Sequence, residues 1–268
     1  MNKEDLRIEN YLNDGGFFDT MADDVKQGLA SNPKSLPPKY LYDETGSELF
    51  ERITELPEYY PMREEGALLH SIAPQLMASL APQQIVELGS GSSTKTRELL
   101  DAGSRARSVR SYIPFDVSES IILEAAETLR ERYPELELHG IVGDFQRHLD
   151  KIPASSGRRL VLFLGSTIGN LLPESRVELL TQIGALLGPD DCLLLGTDLV
   201  KDTSIIVPAY NDSQGVTAAF NRNMLRVLNN GLDGNFDPDA FEHAAIWNPE
   251  FARIEMHLRP RTLQTAIL

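Results

Sequence analysis

The chain holds a single cysteine, Cys192, so no disulfide can form within it. That thiol borders the apolar run Leu193-Leu194-Leu195, the setting of a buried, inert sulfur rather than a nucleophile. No apolar run is long enough to span a bilayer; the longest, residues 160–164, is a quarter of the length required. The opening MNKEDLRIEN has no basic-then-apolar leader pattern. Together these point to a reduced, cytoplasmic setting. Basic charge is also scarce, at 25 Lys and Arg against 40 Asp and Glu, a formal charge of -15. Such a surface repels phosphate backbones and anionic lipid, which argues against nucleic-acid and membrane partners. The five histidines show no metal-ligand spacing, and no catalytic metal is expected. G-x-S-x-G, P-loop and C-x-x-C motifs are missing as well. What remains, 268 residues with 41% hydrophobic and 24% charged, suits a soluble globular protein of one or two domains.

Two regimes divide the chain. Residues 1–62 read as helix, linker, helix. Phe18, Met21, Val25 and Leu29 fall at helical spacing, and three prolines within 31–38 end that helix. A second helix is predicted over 47–56, with Ser47 as N-cap. The prolines at 57 and 61 push Glu58-Tyr59-Tyr60 toward extended structure. From about Gln83, apolar runs at 85–88, 111–115, 138–142, 160–164 and 192–195 alternate with helical stretches at 94–100, 119–132 and 173–187. In the last of these Val177, Leu180, Ile183 and Leu187 share a face. This alternation predicts an α/β fold, a doubly wound parallel sheet over residues 63–198. After Asp198 the alternation stops. A helix over 216–228 and strands over 241–247 and 253–259 read as a second, smaller α+β lobe. The last three residues read as part of a further strand.

The chemistry gathers at strand ends. Val86-Glu87-Leu88-Gly89-Ser90-Gly91 leaves a strand and opens a helix, and glycines there let a ligand approach the backbone. Thr94 stands where a dinucleotide fingerprint has its third glycine, so E-x-G-x-G suits S-adenosylmethionine (SAM) better; a plain tight turn is the alternative. Asp116 ends the next strand, where an acid accepts from ribose hydroxyls or else caps a helix. Asp144 ends the third, placed for an adenine amino group with Phe145 on the ring, or as a turn residue. Asn170 closes the small-residue loop after the fourth strand and offers both a donor and an acceptor. Tyr40, Tyr42, Tyr59, Tyr60 and Tyr210 form a second set; some are packing, but aromatic faces also hold a methylated ammonium.

These segments resemble the histidine-specific methyltransferases of ergothioneine biosynthesis. The likeness runs through 33–39, Tyr42-Asp43, Gly46-Ser47, 56–61, 87–91, 114–116, 143–145, 165–170, 196–202 and 218–223. It implies a Rossmann-like class I fold and SAM-dependent trimethylation of the α-amino group of L-histidine to hercynine. By motif, Gly89, Lys95, Asp116, Asp144 and Phe145 are implied to hold SAM. Tyr59, Asn170 and Tyr210 are implied to hold the substrate amine and carboxylate, Tyr59 and Asn170 as the catalytic pair, with Tyr42 and Met256 lining the pocket. The resemblance also implies that residues 1–62 and 199–268 together form the substrate-binding lobe. Nothing in the sequence suggests an obligate interface, and a monomer is expected. Family members continue past the position of Leu268 to complete the sheet and grip the imidazole. Histidine selectivity is therefore not carried by the residues present. A related N-methyltransferase for another amine and an inactive cofactor-binding fragment remain as alternatives.

Overall fold

The computed structural model describes residues 6–12 and 16–268, with only the backbone at 16–19. Phe18, predicted on the first helical face, lies outside the described side chains. The chain divides into two compact units, one of Met1–Leu12 and Pro61–Asp198, the other of Asn13–Tyr60 and Leu199–Leu268.

The first unit is built on six strands: β1 (Leu6–Asn10), β2 (Gln84–Leu88), β3 (Ser111–Asp116), β4 (Glu137–Val142), β5 (Arg159–Phe163) and β6 (Cys192–Leu195). They form one wholly parallel sheet in the order β1-β4-β3-β2-β5-β6. Strand order reverses at β2, and in sheets of this kind a ligand binds outside the carboxyl ends of the strands at that point. Alternation along each strand serves two cores. Ile85, Tyr112, Leu138, Leu160 and Leu162 face one side, and Val86, Leu88, Ile113, Phe115, Ile141, Val161 and Phe163 the other. Cys192 is free and half-buried at the edge of the first core.

Two elements of this unit escape the sequence reading. Strand β1 pairs with β4, so residues 6–10 belong with the sheet rather than with the second lobe. The segment expected to be extended around Tyr60 opens a 21-residue helix, α3 (Tyr60–Leu80), after α1 (Gly16–Ala30) and α2 (Glu44–Thr54) of the second unit. Pro61 lies in its first turn, where a missing N–H costs nothing. Leu69, Ala73 and Met77 then fix α3 to the first core. Helix α4 (Arg97–Ala106) starts later than expected, α5 (Glu119–Arg132) holds its predicted bounds, and α6 (Pro173–Leu186) buries Leu179 and Ile183. Val177, expected on that face, is 66% exposed, because the buried stripe runs through position 179 instead.

The second unit centres on α8 (Val216–Leu232), preceded by a short α7 (Thr203–Ala209) that the sequence reading passed over. A hairpin of β7 (Phe241–Asn248) and β8 (Arg253–Pro260) follows, antiparallel in register. The last three residues are not a strand. Asp43, not Ser47, caps α2: its carboxylate accepts the Gly46 N–H at 2.8 Å and the Asn223 side-chain amide at 2.6 Å, tying α2 to α8. Gly46 admits no side chain, since a Cβ there falls 1.7 Å from the Leu41 carbonyl oxygen. Gly46→Ala must move backbone. It is expected to lower stability by about 2–4 kcal/mol, read as a fall in the urea midpoint; an unchanged midpoint contradicts the packing described.

Candidate active site

At the end of β2 the chain turns through Gly89 (φ 71°) and Gly91 (φ 49°), a left-handed path that glycine takes without strain. Asp116, at the end of β3, holds that turn. Its carboxylate accepts the Gly91 N–H at 2.8 Å and the Ser118 N–H at 3.1 Å. Burial pushes its pKa up, against the pull of these backbone donors. Asp144, at the end of β4, is buried and accepts the Gln146 N–H at 2.9 Å. The Phe145 ring leans on Phe163 at 5.4 Å and comes within 4.0 Å of where a Cβ on Gly89 would stand. Gly89, Asp116, Asp144 and Phe145 thus all lie at the carboxyl ends of β2, β3 and β4. The buried Ser90 hydroxyl, inside the turn, has no hydrogen-bond partner among the described residues, the state of a group left for a ligand or water to satisfy.

Beneath the turn lies a polar network. Glu87 is 3% exposed; it accepts from the Thr96 hydroxyl at 2.6 Å and from the Tyr112 hydroxyl, which also meets the Ser93 hydroxyl at 2.8 Å. Burial raises the Glu87 pKa to about 7 and raises Tyr112 well above its ordinary value. Lys95, beyond the turn, pairs with Glu65 of α3, whose two oxygens also each take the Gly165 N–H at 2.9 Å. Glu65 has no counterpart in the sequence reading.

The second unit holds an aromatic cluster. Tyr42 meets Phe50 and Phe220 edge-on at 5.5 Å each. Phe50 reaches Tyr59 at 6.2 Å, and Tyr59 meets Tyr210 edge-on at 6.0 Å. The cluster is held from behind: the Tyr210 carbonyl accepts from His243 Nε2 at 2.8 Å, and the Asn221 amide meets His243 Nδ1 at 2.9 Å. Burial keeps the His243 pKa low, so the neutral ring serves both bonds.

A sequence model for histidine-specific, SAM-dependent methyltransferases matches residues 21–268. The chain belongs to this family. It is 52% identical over 259 residues to a histidine N-alpha-methyltransferase of Mycolicibacterium smegmatis, covering 97% of this chain and 80% of that one. A histidine N-alpha-methyltransferase of Mycobacterium tuberculosis is 48% identical, over 95% of this chain and 79% of that one. Ergothioneine biosynthesis protein 1 of Neurospora crassa is 36% identical, over 74% of this chain and 23% of that one. The parallel sheet is therefore that of a SAM-dependent methyltransferase family.

Of the substrate residues expected from sequence, the structure brings Tyr42, Tyr59 and Tyr210 into one cluster. Met256 stands on β8 of the same unit, opposite Ala245. Asn170 is exposed on the first unit, at the end of a short turn over Thr167–Asn170. Tyr40 is core, 1% exposed and bonded to Asp24 at 2.7 Å, while the Tyr60 hydroxyl accepts from Lys201 at 3.0 Å. Phe50 and Phe220 join the cluster without having been singled out. The packing of α2 against α8 brings them there, with the two rings 5.9 Å apart. Among the described residues no group of three His, Cys, Asp or Glu side chains is placed to hold a metal. No described helix is long and apolar enough to cross a membrane.

Proposed function

We propose that this methyltransferase transfers three methyl groups in turn to the α-amino nitrogen of L-histidine, making hercynine, the first step of ergothioneine biosynthesis. The observation that carries the proposal is the 52% identity, over 97% of this chain, to a histidine N-alpha-methyltransferase. The strand-end residues fit the cofactor. Among the described residues a Cβ on Gly91 would meet nothing within 4 Å, which leaves open space over the turn, and the buried Ser90 hydroxyl within the turn has no partner. Gly89, Lys95, Asp116, Asp144 and Phe145 would hold SAM, Asp116 at the ribose and Asp144 with Phe145 at the adenine. SAM supplies the activated methyl group.

The protein's task is then placement. The attacking amine must be neutral, and the rate is expected to rise with pH until the substrate amine has lost its proton. Asn170 offers an acceptor and a donor for orienting that nitrogen. Tyr59 offers a hydroxyl, and Tyr210 another for the carboxylate. The aromatic faces of the Tyr42–Tyr59–Tyr210 cluster suit a nitrogen that gains methyl groups and ends as a cation without N–H donors. Positioning of this kind accounts for several kcal/mol of barrier without a strong base.

Tyr59→Phe keeps the ring and removes the hydroxyl. It is expected to slow transfer by about tenfold while S-adenosylhomocysteine (SAH) binds as before. An unchanged rate removes Tyr59 from the orienting role.

A further inference from the structure

The ion pair of Lys95 with Glu65 lies at the point where strand order reverses. Lys95 follows the glycine turn of β2, and Glu65 reaches from α3 to the ends of β5 and β6. Both side chains are only 15% exposed. Two glycines make room for the carboxylate. Gly165 (φ 72°) turns its N–H onto both Glu65 oxygens, and a Cβ at Gly196 would fall 2.0 Å from Glu65 Oε1. A Cβ on Gly165 would stand 3.5 Å from Lys95 Nζ, so ammonium, carboxylate and backbone donor converge on one spot.

Stability does not explain the pair. A largely buried ion pair roughly breaks even against apolar side chains of the same size, and α3 is already anchored by Leu69, Ala73 and Met77. What the arrangement matches is a zwitterion. A carboxylate has about four lone-pair sites, so Glu65 has acceptor capacity beyond the Gly165 N–H and Lys95.

We propose that Lys95 and Glu65 form a two-charge cradle for the amino-acid end of the cofactor, the Lys95 ammonium taking its carboxylate and the Glu65 carboxylate its α-ammonium. The proposal rests on the SAM reading above and assigns Glu65 as a binding residue. It also gives the close approach of Gly196 a purpose, since any side chain there displaces Glu65.

Calorimetry tests it with three ligands: SAH, its deamino analogue, and 5′-methylthioadenosine, which lacks the amino-acid end. The wild-type chain is expected to bind SAH about tenfold or more tightly than the deamino analogue, the worth of one charged hydrogen bond. In Glu65→Gln that preference collapses toward one, while methylthioadenosine affinity changes less than about threefold. Equal wild-type affinity for SAH and the deamino analogue overturns the assignment without any variant. So does a Glu65→Gln protein that keeps the preference. If the wild-type chain binds neither SAH nor methylthioadenosine, the cofactor reading itself fails and takes this proposal with it.

Discussion

Asp116→Ala is expected to weaken SAH binding by about a hundredfold or more. The carboxylate has two duties. It holds the glycine turn through the Gly91 N–H at 2.8 Å, and it faces the position proposed for the ribose hydroxyls. A charge-assisted hydrogen bond contributes about 1.5–3 kcal/mol. Losing two of them therefore costs about 3–6 kcal/mol, or two to four decades in Kd. Asp116→Asn keeps the shape and one acceptor and should fall between the alanine variant and wild type. Calorimetry with SAH measures both, and thermal unfolding shows whether the sheet survives. A loss below about threefold in Asp116→Ala, with the sheet intact, would remove Asp116 from the cofactor site.

The second large effect is on stability against pH. Glu87 is buried under the same turn, and its pKa in the folded chain is about 7 against an ordinary 4.5. The folded state therefore favours the protonated acid. Its contribution is fully present below about pH 4.5 and is lost as pH rises through about 7. A shift of this size corresponds to a change on the order of 3 kcal/mol. Glu87→Gln is neutral throughout, and the Tyr112 and Ser93 hydroxyls can reverse their bonds to serve its amide. Other carboxylates, Glu9, Asp101, Asp212 and Glu255 among them, are held low and give stability that grows with pH. The informative quantity is thus the difference between the two proteins. Urea unfolding at pH 5 and pH 8 should show the variant gaining on wild type across that interval. Parallel curves would mean that Glu87 does not change charge in this range.

The central sheet was legible because parallel strands covered on both faces are continuous apolar runs, as Val161-Leu162-Phe163 is. The carboxyl ends of such strands are where a ligand is expected, and Gly89, Asp116 and Asp144 lie there. Helix α3 was hidden by Pro57 and Pro61, which read as forcing extended structure although Pro61 occupies the first turn of the helix. Glu65 was hidden with it. A single glutamate in a helix carries no signature of its own, and the only trace of its partner contact in the sequence is a pair of glycines, Gly165 and Gly196, closing two strands. Strand β1 is short and half-buried, with too few apolar positions to reveal its pairing with β4. The tyrosines announced a cluster, but not which of them formed it. Tyr40 went to the core, while Phe50 and Phe220 were recruited by packing between helices distant in sequence.

The central claim, successive methylation of the α-amino group of L-histidine, is tested most directly by mass spectrometry of the full chain incubated with SAM and L-histidine. One, two and then three methyl additions to free histidine are expected, with fragmentation placing all three on the α-nitrogen and none on the ring. Methylation on the imidazole, or of other amino acids in preference to histidine, would contradict that claim, as would the absence of any product from a chain that binds SAH.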